Sequence, residues 1–162
     1  MTEYEIDLIA ECAWKENRHG GKPGMQSVIN VILNRQREHP FQTITEIIMA
    51  PEQFSSMSVK SDPEYHLDPE KGTGVDLDMW NAAIDLAQDA ANGTLQDIVG
   101  GATLYYAPAA FTNNRDNPHH QIYTPKIFNL PDGRTIPFPE GWNVAKVKWA
   151  ESVASQEFFL QV

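Results

Sequence analysis

The 162-residue chain has one cysteine, few cations and no long apolar run, and each shortage excludes something. Cys12 has no second cysteine to pair with, so neither an internal disulfide framework nor a zinc site built on thiolates can form. It is left as a small buried hydrophobe or as a nucleophile. Lysine and arginine number 12 against 22 acids, a net charge of −10. Such a surface repels phosphates, which argues against nucleic acid and anionic membranes as partners. No stretch approaches the roughly 18 apolar residues that a membrane span requires, so no membrane insertion is expected. The opening MTEYEIDLIAE lacks the basic start and apolar core of a secretory signal, which points to export by another route or to prior processing.

What is present fits one domain over residues 1–162, expected as a monomer, with 41% hydrophobic residues to build its core. Ile6, Ile9, Ala10 and Ala13 share a helical face and predict a first helix over residues 3–16, with Glu11 and Trp14 bordering that face. Pro23 suits a first helical turn, and Met25, Val28, Ile29, Ile32 and Leu33 follow at helical spacing to about Arg37. Thr43 with Glu46 three residues on reads as a capping box for a short third helix ended by Pro51. PEQFSSM follows as an ordered loop. KSDPEYHLDPEKGTG reads as a surface excursion, after which Asp76 or Asp78 caps a helix carrying Trp80, Ala83, Ile84 and Ala87 that Gly93 terminates. TLYY is a short strand or a turn, residues 108–141 show little periodicity, and the closing segment has an ambiguous period. The expected class is mainly α (α+β), with long loops and at most a small β element.

Among the chemistry-bearing residues, Glu11 stands beside Ile9, Ala10, Cys12 and Trp14 in the chain. A carboxyl desolvated by such neighbours has a raised pKa and can protonate a leaving oxygen near neutral pH, the arrangement of the general-acid glutamate of lysozyme against its tryptophan.

IAE in the first helix, GMQSVINVILNR in the second, TITEIIMAPEQFS after it and VGGATLYYAP further on together resemble the SleB-like cell wall hydrolases, which include spore cortex-lytic enzymes. The resemblance implies a lysozyme-like fold and cleavage of peptidoglycan glycan strands between N-acetylmuramic acid and N-acetylglucosamine, often as a lytic transglycosylase. It implies Glu11 as the catalytic acid, with Asn34, Gln53, Phe54, Tyr105 and Tyr106 in family motifs; apart from the resemblance, Trp14 is a further aromatic candidate for packing on a sugar face. No metal or cofactor is implied. The link CAWKENRHGGKP is longer than the family's, and Thr103 is an extra residue before the tyrosines. Of two adjacent tyrosines in an extended segment, one is expected to face the core.

One acid suffices for a transglycosylase, because the substrate's C6 hydroxyl replaces water. A hydrolase needs a second carboxylate about 5 to 10 Å away, for which Glu46, Glu52, Asp97 and Asp116 are nominees. Competing classes are an amidase or endopeptidase using Cys12 with one of His19, His39, His66, His119 or His120, a zinc amidase using His119 and His120, and a non-catalytic glycan-binding module. The negative charge opposes an anionic wall, so targeting by another chain or a local field around the cleft is expected. Action at the bacterial cell wall is expected, in spore germination, wall remodelling or phage lysis; the missing signal and wall-binding domain favour a phage-encoded endolysin, cytoplasmic before release, or a virion-associated lytic protein.

Overall fold

The computed structural model describes residues 1–51, 53–110 and 126–162; Glu52, Asp116, His119 and His120 lie outside the described residues. Thr2 accepts the Glu5 amide at 3.1 Å and starts α1 (Glu3–Asn17). A 3-10 turn, Arg18–Gly20, reverses the chain into α2 (Gly21–Glu38), which carries Pro23 in its first turn. The reversal is tight: a Cβ on Gly24 would come within 2.9 Å of the Asn17 carbonyl oxygen, so glycine lets α2 begin this close to the end of α1.

The predicted capping box opens α3 (Ile44–Met49): Thr43 Oγ1 accepts the Glu46 amide at 3.1 Å, and Glu46 Oε2 accepts the Thr43 amide at 2.7 Å. The following loop holds a single helical turn, α4 (Ser55–Ser58). At the start of α5 (Val75–Ala91) the structure differs from expectation. Gly74 occupies the N-cap, and Asp76 and Asp78 sit inside the first turn, where their charges favour the helix dipole without capping the amides. Gly93 ends α5 as expected. At φ 72° it lets its own amide reach the Ala90 carbonyl and the Thr94 amide reach that of Asp89.

Antiparallel strands β1 (Leu104–Tyr106), β4 (Val147–Val153) and β5 (Gln156–Gln161) form a sheet in the order β1-β5-β4, and β2 (Lys126–Asn129) pairs with β3 (Thr135–Phe138) in a separate hairpin. The α+β class holds, and among the described residues the β part amounts to two small sheets. Helix α1 packs against α2 and α5 around Ile9, Ala13, Val28, Ile29 and Ala83. On β5, Phe158 joins Val31 of α2 while Phe159 turns to an aromatic cluster with Tyr106, Phe138 and Trp142. The sheet therefore has its central strand covered on both faces and places β1 beside the helices. No helix among the described residues is long and apolar enough to cross a membrane.

Candidate active site

Glu16 sits in the last turn of α1, and the polar cluster around it draws on four parts of the fold. Seven residues separate it from Ile9, which at 3.6 residues per turn returns it to within about 20° of Ile9 on the core-facing stripe. Burial raises its pKa from 4.5 to about 7, and the charges of Asp62 and Glu64 push the same way against the opposing Arg35 on α2. The buried Ser56 hydroxyl of α4 lies against the carboxyl and lowers its pKa, outside good hydrogen-bond geometry. No cation among the described residues forms an ion pair with Glu16. Glu157 shows the contrast: a buried acid on β5, it accepts from Trp149 at 2.9 Å and from Ser152 at 2.5 Å and pairs with Arg134.

Tyr105 of β1 completes the cluster. Its ring stacks on its cross-strand neighbour Phe158 at 5.4 Å, and burial followed by the Glu16 charge raises its pKa well above the usual phenol value. The hydroxyl therefore stays protonated and able to donate, within reach of the Glu16 charge. Tyr105→Phe keeps the stack and removes the donor; the expected result is about a tenfold loss of turnover with an unchanged thermal midpoint, read by muropeptide release and calorimetry.

The wall of the cluster is an ion-pair assembly. Arg18 grips Glu64 through both guanidinium nitrogens, at 2.6 and 3.2 Å, reaches Asp76 at 3.2 Å and covers the Trp14 ring at 4.1 Å. Burial opposes the Arg18 charge, and the two acids more than offset it. Lys15 donates to the Tyr65 carbonyl at 2.8 Å, which ties the expected surface excursion of residues 58–75 to α1.

Several residues singled out in the sequence occupy other places. Glu11 lies about 140° around the helix from Glu16. Its side chain is 36% exposed and ion-paired to Lys15 at 2.9 Å, so the apolar enclosure expected of it belongs to Glu16. Trp14 is 2% exposed and donates to the Asp76 carbonyl at 2.9 Å, which makes it core rather than a sugar platform. Phe54 is fully buried, with the Arg35 guanidinium 5.0 Å over its ring. Tyr106 points away from Tyr105 into the aromatic cluster, its hydroxyl on the Pro137 carbonyl at 2.7 Å. Asn34 is buried and donates to the Ala102 carbonyl while accepting from Arg37, a tie between α2 and the chain entering β1. Gln53 is exposed at the rim of a cleft of about 320 Å³.

Cys12 is fully buried and its thiol pKa is raised by burial and by Glu16, which works against a thiolate nucleophile. Of the nominated second carboxylates, Glu46 is committed to its capping box. Asp97 holds a turn through the Val99 and Gly101 amides, both at 2.8 Å. Among the described residues no group of three or more histidine, cysteine or acidic side chains could hold a metal.

A family model described as Cell Wall Hydrolase matches residues 20–129, well over half of the chain and including Arg35, Gln53 and Tyr105. The matched span begins after Glu16, so the case for that residue rests on geometry. No curated protein and no solved structure matches the chain.

Proposed function

The chain belongs to the cell wall hydrolase family, and from that premise we propose that it cuts the glycan strand of peptidoglycan with Glu16 as its general acid. The observation that carries this is a partly buried carboxyl on the core-facing stripe of α1 whose pKa is raised to about 7, with no ion-pair partner among the described residues and with Tyr105 within reach of its charge. Such a group holds a proton near neutrality and can deliver it to a glycosidic oxygen. Once ionised, the same carboxylate can take the proton of the substrate's C6 hydroxyl as that oxygen closes on the anomeric carbon, leaving a 1,6-anhydro end. Two nominated second carboxylates are tied up in backbone hydrogen bonds, which supports the one-acid route, SleB-like in type and suited to a lytic or cortex-degrading role. Asp62 stands closer in effect to Glu16, but its oxygens accept from the Ser55 hydroxyl and the Glu64 amide.

Mass spectrometry of digested peptidoglycan tests this: anhydro ends are expected, whereas reducing ends would replace the one-acid route by hydrolysis, and cut stem peptides would overturn glycan cleavage. The pH profile is a second check. Because the acting form is protonated, kcat/KM is expected to be level below about pH 6 and to fall about tenfold per pH unit above the Glu16 pKa of about 7.

A further inference from the structure

The helical turn α4 reads Ser-Ser-Met-Ser, and its serine hydroxyls have different fates. Ser55 Oγ donates to Asp62 at 2.5 Å and Ser58 Oγ to the Phe54 carbonyl at 3.3 Å, so both tie the loop together locally. Ser56 makes no such bond. It is 1% exposed, and its hydroxyl has no hydrogen-bond partner among the described residues. Burying an unpaired hydroxyl costs stability that alanine at position 56 would avoid. What the hydroxyl lies against is the carboxyl of Glu16.

The titratable groups acting on or coupled to Glu16 come from each element packed around it: Cys12 from its own helix, Arg35 from α2, Asp62 and Glu64 from the loop after α4, and Tyr105 from β1. Burial and the two loop acids oppose its charge, and Arg35 favours it. Asp62 is held by Ser55 and Glu64 by Arg18, which fixes their charges in place. While Glu16 keeps its proton, these acids do it little harm. Once ionised, it is a desolvated anion near two others, and a hydroxyl donor stabilises that form more than the neutral acid. Serine can supply the donor without a backbone shift, because rotation about χ1 and about the Cβ–Oγ bond re-aims its hydrogen.

We propose that Ser56 is a positioning residue for Glu16: unpaired while the acid is protonated, its hydroxyl donates to the carboxylate left when that proton passes to the leaving oxygen, and aims it at the substrate's C6 hydroxyl. The proposal rests on Glu16 as the general acid. Ser56 keeps its own hydrogen throughout. The C6 proton returns to Glu16, which restores the resting carboxyl and releases the serine hydroxyl. A hydroxyl without a partner at rest suits this role, since one already bonded elsewhere would have to give up that bond at the moment it is needed.

The test is the titration of Glu16, by carbon NMR on the glutamate-labelled full chain, in Ser56→Ala and in Ser58→Ala, which removes a hydroxyl of the same turn that is bonded to the Phe54 carbonyl. Ser56→Ala deletes one unpaired atom, so the fold is kept. A donor to the ionised form lowers a pKa, so Ser56→Ala is expected to raise the Glu16 midpoint by about one unit from about 7, with Ser58→Ala leaving it in place. Looser packing would act the other way, because water reaching the carboxyl lowers the midpoint. On peptidoglycan, Ser56→Ala is expected to lower kcat about tenfold below pH 6 with KM unaltered. An unchanged or lowered midpoint, an unaltered kcat, or a shift that Ser58→Ala reproduces overturns the positioning role. If that happens while Glu16-dependent release of anhydro ends persists, the role of Ser56 alone fails; a raised midpoint in a chain whose activity survives Glu16→Gln defeats the catalytic proposal alone.

Discussion

Glu16→Gln is expected to lower muropeptide release by about 10²–10⁴-fold, towards the upper end because one side chain serves as acid and then as base. The same substitution is expected to stabilise the fold above neutral pH. The folded pKa of Glu16, about 7, lies above its ordinary 4.5, so between these values the folded state binds more protons than the unfolded chain. Stability from this group is therefore fully present below about pH 4.5 and is lost as pH rises through about 7. Allowing for the partial exposure of Glu16, the loss is on the order of 2 kcal/mol. Glutamine carries no such term, and its variant should hold its denaturation midpoint from pH 5 to pH 8 while the unaltered protein declines. Glu11→Gln removes only a partly exposed ion pair with Lys15; its expected cost is below about 1 kcal/mol, with activity retained. The reverse outcome, a silent Glu16→Gln and an inactive Glu11→Gln, would return the catalytic role to position 11.

Phe54→Ala is expected to cost about 3–5 kcal/mol, a large part of the roughly 5–15 kcal/mol that holds a domain together. The ring is fully buried among α1, α3 and α4, where truncation leaves a cavity that packed helices cannot close. It also removes the surface beneath the Arg35 guanidinium, whose charge lowers the Glu16 pKa, so the residual folded protein should show an altered pH profile as a secondary effect. Urea denaturation read by circular dichroism checks the stability loss. An unchanged midpoint with a raised KM would instead make Phe54 a surface platform for sugar, as its family motif implied.

The helical half was legible in the sequence because its signals are local. Thr43 with Glu46, Pro23 in a first turn and Gly93 after the last apolar residue each act over three or four residues, and each appears in the structure as expected. The desolvated carboxyl was expected at Glu11 rather than at Glu16 because neighbours in the chain were taken for neighbours in space. In a helix, residues beside Glu11 in sequence radiate around the axis, while Glu16 shares the stripe of Ile9 and Ala13. The excess length of CAWKENRHGGKP, measured from Glu11, was a second signal: counted from Glu16 the link is five residues shorter.

The β half was harder to read for a different reason. On β5, Phe158 faces α2 and Phe159 the aromatic cluster, so both sides of the strand are apolar and no alternation marks it. Arg18 with Glu64 and Lys15 with the Tyr65 carbonyl were likewise beyond a local pattern, since nothing near either position specifies its partner some 50 residues away.

The most direct measurement is the titration of the Glu16 side-chain carboxyl by carbon NMR on glutamate-labelled protein, assigned by the signal missing from Glu16→Gln. A midpoint about 7 is predicted. A midpoint near the ordinary 4.5 would mean that Glu16 is ionised at working pH and has no proton to give, which contradicts its role as the acid.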